Sequence, residues 1–229
     1  MRLLESIEIF PVILTLAAFQ IGRLCQKKWK SPIFNPTLIG MVLVTLFVAF
    51  SGMAPEDFTS GTKLIFWLMT PATISLAVPM YEQFQLLKKS LKAVLAGVFA
   101  GTISCLLMIV AVSFLLRFDR SVMISLMPKS VTTAIGMSLS EMCGGMSGVT
   151  VAAIIVTGIG GNMMGPVLCK LLGIHDEIAR GVALGTAAHV IGTAKANELS
   201  ELTGAASSLS LVVAGLLTAV LMPVIVGVL

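Results

Sequence analysis

In a chain of 229 residues that is 57% hydrophobic and only 11% charged, the ionisable side chains inside apolar runs are the ones placed to do chemistry. Lys129 is the foremost of them. It stands in Pro128-Lys-Ser-Val-Thr-Thr133, so that Ser130, Thr132 and Thr133 follow it closely. An ammonium at mid-membrane costs about 2.5–3.5 kcal/mol on insertion scales, so it should face protein or water. With Pro128 near a helix start, free backbone N–H groups and the positive end of the helix dipole would point the same way. That set suits a small organic anion, a carboxylate above all, with the hydroxyls as further donors. The competing reading is a lysine that snorkels to an interface a few residues away.

His189 is the second candidate. It lies between Gly185 and Gly192, with Thr186 and Thr193 nearby. An imidazole changes charge near neutral pH, which suits a proton relay or a ligand contact. A hydrogen-bonded packing histidine is the equal alternative. Around these two, supporting or gating roles fall to Pro128, Gly192, Glu141, Lys195 and Glu198, although helical pairing alone accounts for Lys195 and Glu198 at a spacing of three. A further polar stretch, Met69 to Pro79, brings Pro71, Thr73 and Pro79 into the same class. Thr193 joins Lys129, Ser130, Thr132, Thr133 and His189 as a substrate contact.

Other chemistries find no support. His175 and His189 have no metal-ligand spacing, and the four cysteines (Cys25, Cys105, Cys143, Cys169) form no CxxC pair. They read as small apolar residues. No GxSxG elbow, HExxH pair or phosphate-cradling loop is present, so no enzyme activity and no cofactor are expected. The net charge of +4 comes from short clusters between apolar runs. A nucleic-acid binder would show a basic stripe instead.

The elements that must position these residues are membrane helices. A soluble fold carries about 25% charged residues, more than twice what this chain has, so lipid must solvate most side chains. Apolar runs of about 17–25 residues recur along the whole length. They predict an all-α, polytopic transmembrane bundle of about eight spans, near 7–23, 36–53, 63–81, 92–116, 121–142, 147–169, 179–200 and 207–229, forming a single integral membrane domain over 1–229. The first run reads as a retained span and not a cleaved leader, because Glu5 and Glu8 interrupt its start. Basic clusters at Arg23, Lys27, Lys28 and Lys30, and at Lys88, Lys89 and Lys92, put those loops in the cytoplasm and the N-terminus outside. Trp29, Trp67 and Tyr81 fall near predicted interfaces.

The third, fifth and seventh runs are interrupted by proline, glycine and hydroxyl residues. Broken helices are tolerated in hydrocarbon only in a packed interior or beside a wet cavity. Gly158, Gly160, Gly161 and Gly165 read as a surface for close helix packing. Runs five and seven also resemble each other at an offset of sixty residues. Thr133, Ala134, Leu139, Ser140 and Glu141 match Thr193, Ala194, Leu199, Ser200 and Glu201, and Lys129 falls opposite His189. Chance similarity among small residues is one explanation. The other is a duplicated broken-helix unit, near 120–168 and 180–228, in parallel or inverted orientation.

At these segments the chain resembles the LrgB/CidB family. The likeness rests on Pro71-Ala-Thr with Ala77-Val-Pro79, on Pro128-Lys-Ser-Val-Thr-Thr133, and on Gly185-Thr-Ala-Ala-His189 with Gly192-Thr193. The Asn35-Pro36 entry to the second span and the Thr157 to Gly161 stretch also fit. Two departures are visible: Ala134 stands where a proline is usual, and Lys195 where an arginine is common. The second keeps the charge but loses a planar fork. The resemblance implies two functions. One is holin/antiholin-like modulation of murein hydrolase activity and autolysis, with a small LrgA/CidA-type membrane partner in homo- or hetero-oligomers. The other is carriage of small monocarboxylates such as glycolate, glycerate or pyruvate, and the residues favour it. Either implies a multi-pass protein of the bacterial inner membrane.

Overall fold

The structure, a computed structural model, describes residues 9–29, 34–75 and 77–228. Every regular element among them is an α-helix. Contacts divide the chain into two compact units, residues 1–75 and 76–229.

The first unit holds α1 (Phe10–Trp29), α2 (Pro36–Ser51), α3 (Pro55–Gly61) and α4 (Lys63–Ser75). Asn35 starts α2: its side-chain oxygen accepts from the N–H groups of Thr37 (2.9 Å) and Leu38 (3.2 Å), while Pro36 needs no partner at the first helical position. Gly52, at φ 75°, ends the helix in the left-handed conformation. α1 and α2 meet where Gly22 lacks a side chain, since a Cβ there would lie 2.6 Å from the Pro36 carbonyl oxygen. α1 continues six residues past the expected end of the first span, which puts Arg23, Lys27 and Lys28 on its last turns and not in a loop. The Lys28 ammonium rests over the Trp29 ring at 5.4 Å.

The second unit holds α5 (Ala77–Glu82), α6 (Phe84–Lys89), α7 (Leu91–Leu116), α8 (Arg120–Leu126), α9 (Thr133–Met142), α10 (Ser147–Leu171), α11 (Glu177–Leu199) and α12 (Glu201–Val228). Three of these, α7, α10 and α12, are long and apolar enough to cross a membrane. At 1.5 Å per residue each exceeds the roughly 30 Å of a hydrocarbon core. Only 22%, 17% and 33% of their apolar windows are buried within the protein, which leaves most of that surface for lipid. The other expected spans are shorter or broken. α2 has 16 residues. The run expected at 63–81 is divided between α4 and α5, and the run at 121–142 between α8 and α9. The run at 179–200 is one helix with a kink at Ala188 and His189.

α12 is the spine of this unit. Thr203 to Ser208 are all buried. Gly181 and Gly185 of α11 lie so close to it that a Cβ on either would overlap the carbonyl oxygens of Thr203 and Ser207. Further along, Leu106, Ile124, Met127, Leu139, Met222 and Val226 form one apolar cluster joining α7, α8, α9 and α12.

Gly185→Val is expected to lower the unfolding midpoint in detergent by several degrees. Overpacking costs about 1–3 kcal/mol, and 1 kcal/mol is worth about 2–4 °C at this chain length. At Gly160 nothing lies within 4 Å of the place a Cβ would take, so Gly160→Ala should leave the midpoint unchanged or slightly raised. Equal losses in the two variants would show that the α11–α12 contact is not limiting.

Candidate functional site

Two helix interruptions define the site. At the first, α8 stops at Leu126 and the chain turns through Met127 to Thr132 before α9 begins. Short backbone bonds fill the turn: Lys129 N–H donates to Leu126 and Val131 N–H to Pro128, both at 3.2 Å. Thr132 precedes α9 in an extended conformation (φ −67°, ψ 150°) and its side chain makes no capping bond. The first N–H groups of α9 therefore receive no cap from the Thr132 side chain. Beneath the turn lies a fully buried hydroxyl cluster. Ser125 Oγ donates to Ser121 O (2.6 Å) and accepts from Met146 N–H (2.7 Å). The Thr150 hydroxyl lies 2.9 Å from Ser125 O and 2.7 Å from Ser140 Oγ. Those contacts tie α8, α9 and the start of α10 together, and so fix where the turn sits.

At the second interruption, Ala188 (φ −123°, ψ 15°) and His189 (φ 44°, ψ −137°) leave helical geometry inside α11. A positive φ is rare for any residue with a Cβ and persists only where surrounding contacts enforce it. Here they are visible. His189 is 3% exposed, and its Nε2 lies 3.0 Å from the Ile154 carbonyl. A carbonyl only accepts, so Nε2 carries the proton in this geometry. Thr193 donates to the His189 carbonyl (2.9 Å) and pairs with Ser207 (2.9 Å). Asn162 of α10 donates to the Ile191 carbonyl at 3.0 Å. Gly158 leaves the space the imidazole occupies, since a Cβ there would lie 2.7 Å from its Cε1. Gly161 and Gly165 admit Ala188 and Leu184 in the same way, whereas Gly160 faces open space.

The interruptions meet on α10. The Ile154 carbonyl faces His189, and the Ile154 side chain sits on Gly136 of α9, where a Cβ would lie 2.5 Å from its Cδ1. Lys129 lines a cavity of about 410 Å³ between α10 and α11, together with Thr157, Gly161, Leu184, Ala187 and Ala188. It is the one charged side chain among the described lining residues. Its ammonium donates to Ser130 Oγ at 3.3 Å and is within electrostatic reach of the His189 ring. Ser130 and Thr186 share a second, much smaller cavity.

The remaining expected site residues are distributed as follows. Thr132 and Thr133 are half-buried at the start of α9, beside Lys129 in the chain. Thr193 is wholly buried, with its hydroxyl committed to His189 and Ser207, so it holds the kink. Gly192 packs on the Leu184 carbonyl and Ala188. Pro128 is fully buried. Lys195 and Glu198 form an exposed ion pair of 2.7 Å. Glu141 is exposed and accepts from Ser147 Oγ at 2.5 Å. Pro71 is an exposed residue of α4 in the first unit. The side chains of Thr73 and Pro79 lie outside the described residues. All four cysteines are free, and no cluster of metal-ligating side chains occurs among the described residues. Sequence reasoning missed Asn162, whose signal was an amide in a glycine-rich apolar run, and Ile154, which acts through its backbone and carried no signal.

These features define an all-helical membrane protein built around two interrupted helices. The LrgB-like family model matches residues 15–228, and the chain belongs to that family. It is 34% identical to the antiholin-like protein LrgB of Bacillus subtilis strain 168 over 218 residues, covering 95% of this chain and 94% of that protein. The antiholin-like protein LrgB of Bacillus cereus strain B4264 is 33% identical over 93% of this chain and 94% of its own. The holin-like protein CidB of Staphylococcus epidermidis strain RP62A is 28% identical over 95% of each chain. No solved structure matches.

Thr193→Val should destabilise the protein by about 1–3 kcal/mol, because it strips a hydrogen bond from the His189 carbonyl and leaves the Ser207 hydroxyl without its partner. Lys195→Gln should cost less than about 1 kcal/mol. Chemical denaturation in detergent checks both, and the reverse order would refute this account of the kink.

Proposed function

We propose that this chain is an antiholin-like protein of the bacterial inner membrane, which modulates murein hydrolase activity and autolysis together with a small LrgA/CidA-type membrane protein. The observation that carries this reading is the full-length likeness to the antiholin-like protein LrgB of Bacillus subtilis, 34% identical over 94% of that protein. In a strain lacking the gene, detergent-induced autolysis should change rate, and restoring the chain with its partner should return it to normal. A strain whose lysis is indifferent to the gene would remove the proposal.

A second reading, carriage of small monocarboxylates of the glycolate, glycerate or pyruvate type, is favoured by a different observation. Lys129 lines a cavity of about 410 Å³ and adjoins the uncapped start of α9. An ammonium, the hydroxyls of Ser130, Thr132 and Thr133, and free N–H groups offer donors for one carboxylate. An apolar wall of glycine and alanine suits the short carbon stem. His189 binds substrate or carries a coupled proton in this scheme. The sixty-residue offset that aligns Lys129 with His189 adds support, because each stands at a helix interruption. Two broken-helix units within about eight spans are the topology this reading uses.

Purified protein in liposomes should take up labelled pyruvate or glycolate. Lys129→Ala should cut that uptake by about tenfold or more, the loss expected for one charge-assisted hydrogen bond, with the protein still folded. Uptake that survives the substitution would remove Lys129 from any binding site.

A further inference from the structure

Deep between the two interruptions lies a cavity of about 10 Å³, lined by Thr102 and Cys105 of α7, Ser130 of the turn, Thr186 of α11 and Thr218 of α12, among others. Thr102 is 4% exposed and Thr186 7%, and neither hydroxyl has a hydrogen-bond partner among the described residues. A buried hydroxyl without a partner is costly, more so within a membrane protein where water cannot reach it from outside. Two such groups from different helices, both lining one space, point to a ligand in that space.

Size and chemistry identify it. A cavity of about 10–15 Å³, roughly one water-sized sphere, holds a single water, provided two to four polar partners converge on it. Thr102, Thr186 and Ser130 supply three from three separate elements. The two threonine hydroxyls each offer one donor and two acceptor sites, and Ser130, which already accepts from Lys129 and lies 3.5 Å from Cys105 Sγ, keeps part of its capacity, so together they match the two donors and two acceptors of water. A monovalent cation is disfavoured because the Lys129 ammonium lies 3.3 Å from Ser130 Oγ, on the edge of the same cavity. An apolar occupant would leave the two threonine hydroxyls unsatisfied.

We propose that this cavity binds one buried water molecule, held by Thr102, Thr186 and Ser130, and that the water is the joint between the two interrupted segments. Through Ser130 it reaches Lys129, and through Thr186 it reaches the last turn before the His189 kink. α7 joins the same node through Thr102. The three elements are therefore coupled by a partner that can reorient, instead of by a fixed side-chain bond. This inference does not depend on either functional reading.

The test uses the sign of a stability change. If the cavity holds water, Thr102→Val and Thr186→Val each remove one of its partners and lower the unfolding midpoint by about 2–4 °C. If the cavity is dry, each substitution replaces an unsatisfied hydroxyl with a methyl group, and the midpoint rises. A rise in both variants overturns the proposal. Should Thr186→Val fail to fold, Thr186→Ser retains the hydroxyl, and Thr102→Val still reads the sign. A high-resolution map of the wild-type protein should show one density peak within hydrogen-bonding distance of both threonines, and an empty cavity there also overturns it. Replacing sodium by choline at constant ionic strength should leave the midpoint unmoved. A sodium-dependent rise that Thr102→Val abolishes would identify a cation site and refute the water.

Discussion

Within a bilayer no solvent is at hand to satisfy a backbone group that leaves its helix, and this constraint governs the whole second unit. Two helices are interrupted, at residues 127–132 and at 188–189. Each interruption is matched by polar groups supplied from neighbouring helices. Ser125, Ser140 and Thr150 secure the first. Ile154, Asn162, Thr193 and Ser207 secure the second. Where side chains supply these partners they are short, because only short side chains fit between helices that approach this closely.

Close approach is in turn the work of glycine. Gly158, Gly161 and Gly165 form a track on α10 that receives His189, Ala188 and Leu184. Without that track the kinked stretch of backbone could not lie against α10, and the His189 ring could not reach the Ile154 carbonyl. The cavity beside Lys129 runs along the same pair of helices, where a small-residue wall leaves room that larger side chains would fill. Kink and cavity thus rest on one packing choice.

Much of this was legible in the residues. Pro128, the paired threonines and the glycines around His189 announced two interruptions, and a lysine in an apolar run announced the need for a polar or open surrounding. The glycines at 158, 160, 161 and 165 announced close packing, which holds at three of them and not at Gly160. What could not be read falls into two kinds. Boundaries moved because Arg23, Lys27 and Lys28 are compatible with a helix end as well as a loop, so α1 continues to Trp29. Roles moved because hydroxyl groups look alike in sequence: Thr193 turned out to brace the His189 carbonyl, while Thr102 and Thr186 emerged as hydroxyls without partners among the described residues. Which hydroxyl is occupied depends on which helix faces it, and that is tertiary information. The exposed pair of Lys195 and Glu198 shows the same limit, since spacing alone could not separate a gate from a surface ion pair.

The contact between α11 and α12 has a mechanical side as well. Where Gly181 and Gly185 meet Thr203 and Ser207, backbone lies on backbone, and the Ala206 methyl sits in the notch at Gly181. Helices that mesh through leucines must lift their ridges out of one another's grooves before they can move. The same holds for this notch, and Ile178 and Val182 of α11 add apolar contacts in clusters shared with Ala205, Ala206 and Ala214 of α12. The half of α11 that precedes its bend is therefore keyed to α12 as one beam, with the bend at Ala188 and His189 as the point where its direction changes.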